Sequence, residues 1–357
     1  MHTLPLIGRM DNWSGYGQFT AGLIRAWYQT YGPVEFFARS RDDTYGKLPD
    51  IEARLTPRRN HGHDWELILY AANEIRRDQM QRFKRTVVFT MWESSRMRPE
   101  VVDALNAAAL VIVPCEWCVH TFSANGVNTP MEIVPLGVDL EFWNAGPSKR
   151  KPMVGRKVVF GTAGKWSGGG VRKGARLVME AFLEAFSGSP YASLKVKGFP
   201  DDPIPSTAID NRIEIDKNYM SDEQLRDWFD SIDFFVSGSG MEGWGLMQQQ
   251  AMLRGAPVIG AITGGVAEFC DERNCFPVPW SLAPGEGPYQ GLGHYPKLDK
   301  AQLSAAIWQA FDKAMDWRDG VLDDHRVAAF ESASRFSIEN SAATLHSVLV
   351  KHGFLKA

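Results

Sequence analysis

Short apolar runs alternate along the chain with longer segments whose apolar residues recur three and four positions apart. Leu4 to Gly8, Val34 to Ala38, Leu67 to Tyr70, Thr86 to Thr90, Leu110 to Val113 and Met131 to Val134 are the first set of runs. Most are apolar on both faces, the pattern of parallel strands covered by helices on either side. A polar, basic, Pro- and Gly-rich stretch, Asn144 to Arg156, then interrupts the pattern and reads as an interdomain linker. The strand-like runs resume at Lys157 to Gly161, Ser193 to Gly198, Asn211 to Ile215, Ile232 to Val236 and Val258-Ile259. Helical periodicity is carried by Phe19, Leu23, Ile24 and Trp27, by residues 99–108 and 116–124, and by Leu177, Val178, Ala181, Phe182 and Phe186. It returns at 300–317, 323–334 and 338–352, and Ser221-Asp222-Glu223-Gln224 is a capping box opening a further helix. Such alternation predicts an α/β protein of two Rossmann-like domains, 1–143 and 144–337, each built on a parallel sheet and facing the other across a cleft. Residues 277–296, rich in Pro, Gly and aromatics, read as an irregular loop without recognisable chemistry.

Chemistry concentrates where strands end. After the run at 232–236, Ser237, Gly238, Ser239, Gly240 and Gly243 let backbone approach a ligand closely, and Gly245 opens a helix whose free N–H groups favour anions. Glu242 stands beside that helix start, beyond a strand's C-terminal end, where open α/β sheets bind ligands. A second loop carries Gly164-Lys165-Trp166, the glycines 168–170 and Arg172-Lys173-Gly174. A third, Gly15-Tyr16-Gly17, follows the first strand. It lacks the third glycine of a dinucleotide fingerprint and the acidic residue expected after a second strand, which argues against an oxidoreductase. A fourth is Met91-Trp92-Glu93-Ser94-Ser95. There the carboxylate can hold a hydroxyl group and the indole can stack on a flat ring, or Glu93 can simply cap the helix that follows.

The run Glu242-Gly243-Trp244-Gly245-Leu246, with Ala251-Met252, Gly255 and Pro257-Val258-Ile259, resembles the donor site of retaining GT-B glycosyltransferases of the glycogen-synthase and sucrose-synthase-like superfamily. Pro135-Leu136-Gly137-Val138-Asp139 resembles the segment closing that family's first domain. The resemblance implies transfer of a hexose from a nucleotide-diphosphate sugar, of UDP or GDP type, to an acceptor hydroxyl with retention of configuration. It implies no cofactor and no metal, and no Asp-x-Asp sequence stands at a strand end to hold one. Glu242 would contact the transferred sugar, Lys165 and Lys173 would grip the diphosphate with the Gly245 helix start, and Glu93 would serve the acceptor. Gly15, Tyr16, Gly17, Trp92 and Glu93 would line the acceptor side, and the C-terminal helix, 338–357, would pack back on the first domain. The family's second glutamate, seven residues beyond the first, is here Gln250. Glutamine at the ribose position loses a charged, bidentate acceptor and weakens donor binding by about 1–2 kcal/mol.

Bulk properties narrow the partners. A formal charge of −3 over 357 residues excludes a strongly basic nucleic-acid binder. The segment 54–85 is nevertheless locally basic (Arg54, Arg58, Arg59, Arg76, Arg77, Arg82, Lys84, Arg85), which keeps a polyanionic acceptor open, hydroxymethylated DNA or an anionic lipid surface, behind a glycan or small-molecule acceptor. A non-catalytic nucleotide-sugar binder is the other alternative, motivated by Gln250. The start of the chain lacks a signal-peptide pattern and no run is long enough to span a bilayer, so a cytoplasmic protein is expected. Cys115 and Cys118 form a Cys-x-x-Cys pair, but Cys270 and Cys275 lie far from them in sequence and at an unusual spacing, so free thiols are expected rather than a redox or zinc centre.

Overall fold

The computed structural model of the chain describes residues 3–11, 14–38, 55–56, 63–144, 146, 157–167, 170–204, 210–315 and 324–356. The first strands are β1 Leu4–Gly8, β2 Val34–Ala38, β3 Leu55–Thr56, β4 Trp65–Leu69, β5 Arg85–Phe89, β6 Leu110–Val113 and β7 Met131–Ile133. After them come β8 Val158–Ala163, β9 Ala192–Lys197, β10 Ile213–Asp216, β11 Phe234–Val236, β12 Val258–Gly260, β13 Cys275–Pro277, β14 Trp280–Pro284 and β15 His294–Leu298. The principal helices are α1 Gly15–Thr30, α2 Pro99–Asn106, α3 Glu116–Ala124, α4 Ala175–Ala185, α5 Asp222–Asp230, α6 Leu246–Leu253, α7 Lys300–Met315, α8 Asp324–Ala333 and α9 Ile338–Lys351. Two compact units result, one of residues 1–92, 96–140 and 336–357, the other of residues 93–95 and 141–335.

The first unit holds a seven-stranded sheet of order β3-β2-β1-β4-β5-β6-β7, parallel throughout. Its central strands β1, β4 and β6 are buried along their whole length, which is why they read as continuous apolar runs. Helix α9 belongs to this unit. Gly22 on α1 lets Ile338 approach, since a Cβ there would lie 3.1 Å from that side chain. The Tyr31 ring stacks on His346 at 4.1 Å, and Arg85 donates to the carbonyl of Gly353 at 3.0 Å. Where the chain enters α9, Val138 and Ser337 form a parallel bridge, and a Cβ on Gly137 would sit 2.1 Å from the Ser337 carbonyl. The glycine of the Pro-Leu-Gly-Val-Asp segment therefore serves this backbone contact.

The second unit holds a six-stranded parallel sheet of order β10-β9-β8-β11-β12-β13. Helices α4 and α7 pack together beside it, over a core of Phe160, Phe182, Phe186, Phe234 and Phe276. Helix α8 packs on α6, where Gln249 donates to the Ala333 carbonyl at 3.2 Å.

Two local expectations are corrected. Gly15 and Gly17 lie in the first turn of α1 rather than in a loop before it, because Ser14 caps the helix by accepting from Gly17 N. Residues 277–296 are not irregular: β14 and β15 pair as an antiparallel hairpin. The hairpin was hidden because Trp280 and Leu282 are exposed, so no apolar alternation marks a buried face. Most of the expected linker (145 and 147–156), Gly168 and Gly169, Arg54, Arg58 and Arg59, and 316–323 at the ends of two expected helices lie outside the described residues. All four cysteines are buried thiols rather than disulfides. No helix among the described residues is long and apolar enough to cross a membrane.

Candidate functional site

In the second unit β8 and β11 are neighbours, yet the chain leaves β8 towards β9 and β10 on one side and returns through β11 to β12 and β13 on the other. Their following loops diverge at the switch point, the place where open parallel sheets bind ligands. Two glycines fix how close these loops come. Gly174, with φ 66°, would place a Cβ 2.5 Å from the Gly238 carbonyl, and a Cβ on Gly238 would lie 2.5 Å from the Gly174 carbonyl. No other residue type fits this backbone crossing. The turn Gly170–Lys173 runs into the crossing and aims Arg172 and Lys173 at the loop after β11.

Four charged side chains meet there. Lys173 Nζ donates to both oxygens of Glu242, at 3.1 and 3.2 Å. Arg172 donates through Nη1 to the Met241 carbonyl at 2.7 Å and to Ser239 Oγ at 3.3 Å, and lies 3.5 Å from Glu242 Oε1. Through Nη2 it donates to Glu93 Oε1 at 3.3 Å, and the other oxygen of Glu93 accepts from the Tyr289 hydroxyl. Arg172, Glu93 and Glu242 are only 10, 12 and 13% exposed, against 31% for Lys173. Burial alone would push the Glu242 carboxyl up. Lys173 and Arg172, with hydrogen bonds from Lys173 and Ser239, outweigh it and hold the group below its ordinary value. Burial likewise opposes the charge on Arg172, but Glu242, Glu93, Tyr289 and Tyr295 prevail and raise its pKa above arginine's ordinary value. Tyr295 itself is pushed up to about 12, by burial first and by Glu286 beside it. The arrangement is a charge-balanced pair of carboxylates and cations, able to hold a polar ligand by one sign and an anionic one by the other.

The remaining candidates fall into three groups. Lys165 is half-exposed and turned towards the next loop, 3.8 Å from Asp201, with its ammonium over the Phe199 ring. Trp92, Trp244 and Gln250 are 2, 1 and 2% exposed. The Trp92 indole donates to the Arg96 carbonyl at 2.8 Å, so it is a packing residue and not a free stacking surface. The Trp244 indole donates to Gln249 Oε1 at 3.0 Å and is likewise committed to the interior. Gly245 has φ 102° and caps α6, whose first residue Leu246 is also buried, while Gly243 packs its carbonyl under Gly265. In the first unit Gly15 is exposed, Tyr16 half-buried and Gly17 buried, a Cβ on Gly17 falling 2.0 Å from the Asp11 carbonyl. Glu93 does not cap α2; Arg98 occupies that position.

Sequence reasoning missed Arg172, Tyr289 and Asp202. Arg172 stood in view inside Arg-Lys-Gly, with nothing to separate it from the other basic residues of the loop. Asp202, 3% exposed, accepts three backbone N–H groups, from Trp166 at 2.8 Å, Ser167 at 2.6 Å and Phe199 at 2.7 Å. It fixes the loops after β8 and β9 to each other. Among the described residues no group of three or more His, Cys, Asp or Glu side chains is placed to hold a metal ion.

The two parallel sheets give the chain the GT-B fold of two Rossmann-like domains. Among solved structures it is similar over 98% of its length to a sucrose-phosphate synthase from Thermosynechococcus elongatus, covering 99% of that chain at 14% identity with a TM-score of 0.70. It is similar over 98% of its length to the trehalose-6-phosphate synthase OtsA, covering 99% of that chain at 10% identity with a TM-score of 0.65. A third is the pneumococcal O-GlcNAc transferase GtfA, solved with UDP and GlcNAc, at 14% identity and a TM-score of 0.57 over 81% of the present chain. The chain spans only 56% of the length of GtfA. No family model and no curated protein sequence matches. At such identities the likeness is one of fold.

Proposed function

We propose that the protein is a glycosyltransferase that moves a hexose from a nucleotide-diphosphate sugar, of UDP or GDP type, to an acceptor hydroxyl with retention of configuration and without a metal. The observation that carries this reading is the Lys173–Glu242 pair at the switch point of the second unit's sheet. A departing diphosphate needs positive charge, which Lys173 supplies, and a bound sugar needs a hydrogen-bond acceptor, which Glu242 supplies. The α6 start at Gly245 adds N–H groups for the phosphates. Lys165, half-exposed, is the second candidate cation for the diphosphate. Glu93 is assigned to the acceptor hydroxyl, and Gly15, Tyr16 and Gly17 of the first unit are separate acceptor-side candidates. Gln250, buried in α6, takes the ribose position.

The acceptor class proposed is a glycan or small-molecule hydroxyl. In the basic stretch at 76–85, Arg77 is paired with Asp103 and Arg85 lies 3.7 Å from Asp64, so these charges are partly answered within the fold. A thermal-shift screen of nucleotides and nucleotide sugars, followed by acceptor trials with the best donor, tests the reading. Proton NMR of the first product should show the donor's own anomeric coupling, and chelator should leave the rate unchanged. Inverted product or a chelator-sensitive rate would overturn those parts. Absence of stabilisation by every nucleotide sugar would overturn the whole.

A further inference from the structure

We infer that Arg172 is a positioning residue that serves as the permanent counter-charge of Glu242, leaving Lys173 as the exchangeable cation that moves to the incoming ligand. The inference rests on the glycosyl-transfer reading for the identity of that ligand, an anionic diphosphate, but not for the pairing itself. The two cations differ in how they are held. Arg172 is locked by four partners on two segments: Glu93 from the loop after β5, and Ser239, the Met241 carbonyl and Glu242 from the loop after β11. The Tyr289 ring lies 5.8 Å from its guanidinium carbon and braces it from the hairpin. Lys173, on the same turn, is three times as exposed, and among the described residues its ammonium has one polar partner, Glu242.

That asymmetry decides what happens when an anion arrives. A lysine can release one carboxylate and swing to a phosphate on its flexible stem at small cost. A guanidinium fixed in a planar fork by several groups cannot move without breaking all of them. If Lys173 were the only cation on Glu242, its departure would leave a buried carboxylate unpaired, and such a group takes up a proton rather than stay charged. Arg172, 3.5 Å away, keeps Glu242 ionised and acceptor-only through the exchange. The titratable groups around this carboxylate are Lys173 and Arg172; Glu93, Tyr289 and Tyr295 act on it through Arg172.

Arg172→Lys is the discriminating variant, because it preserves charge and removes the fork. With a turned-over nucleotide sugar, Arg172→Lys should lower kcat at least about tenfold while donor KM stays within about threefold. The acid limb of its kcat profile should move to higher pH, since Glu242 then protonates more readily once Lys173 has left. Lys173→Ala should show the opposite split, a donor KM raised at least about tenfold. Equal effects of the two variants on KM, or an unmoved acid limb in Arg172→Lys, would overturn the inference. A cycle without catalysis separates this failure from that of the transferase reading: urea unfolding of wild type, Arg172→Lys, Glu242→Gln and the double variant, on the Lys173→Ala background. Coupling between Arg172 and Glu242 of about fivefold or more in the unfolding constant supports the permanent pair. Additive effects overturn it, whether or not any nucleotide sugar is a substrate.

Discussion

Replacing Gly174 by alanine tests how the site is assembled. Two separate penalties apply. At φ 66° a residue with a Cβ is strained by about 1–2 kcal/mol. The Cβ would also lie 2.5, 3.0 and 3.1 Å from the carbonyl oxygen, carbonyl carbon and Cα of Gly238, all backbone atoms that cannot rotate away. Forcing such atoms apart costs about 1–3 kcal/mol more. Gly188, in the turn after α4, supplies the control, because its φ is 75° and a Cβ there meets nothing within 4 Å. Gly188→Ala therefore carries the first penalty alone. In differential scanning calorimetry Gly174→Ala should melt about 2–12 °C below Gly188→Ala, the conversion for a unit of this size being about 2–4 °C per kcal/mol. Gly174→Ala should also bind donor more weakly, since separating the two loops pulls Lys173 from Glu242. Melting temperatures within 1 °C of each other would refute the idea that the backbone crossing is a tight contact holding the site together.

Three further outcomes follow from the same geometry. Asp202→Ala strands three backbone N–H groups and should cost about 3–6 kcal/mol in urea unfolding, with Asp202→Asn losing about half of that. Glu242, whose carboxyl is held below its ordinary value of 4.5, contributes stability that is present at neutral pH and lost as pH falls below 4.5 through the folded value; Glu242→Gln should flatten that part of the stability profile. Tyr289→Phe removes one hydrogen bond to Glu93 and should destabilise the protein by about 1–2 kcal/mol while slowing transfer more than it weakens donor binding, checked by paired unfolding and initial-rate measurements.

Much of the fold was legible because its strands are buried on both faces. Runs such as Leu110–Val113 and Phe234–Val236 have no solvent side to confuse the pattern. Capping was legible too, since Ser221 and Gln224 act within one turn of each other. The hairpin β14–β15 was not. Its pairing joins residues across a long loop, and the exposed Trp280 and Leu282 break any inside–outside alternation. The start of α1 was obscured by Gly15 and Gly17, poor helix formers that are tolerated because Gly17 must pass against the Asp11 backbone.

Within the site, Glu242 is picked out by its position beyond a strand and Lys173 by the family resemblance, and the two are in contact. Arg172 could not be told from Lys165 by sequence: both are basic residues in one Gly-rich loop. Only the folded turn at 170–173 puts the former among carboxylates and leaves the latter beside Asp201. Trp92 and Trp244 mislead for a related reason, because an indole next to a glutamate suits a sugar site as well as it suits a core.

Equilibrium binding of UDP- and GDP-hexoses by isothermal titration, to wild type, Lys173→Ala and Glu242→Ala, addresses the donor site most directly. At least one nucleotide sugar should bind wild type at one per chain, with affinity reduced about tenfold or more in Lys173→Ala and the preference over free nucleotide lost in Glu242→Ala. Wild type that binds none of them, or variants that bind as wild type does, would contradict the account.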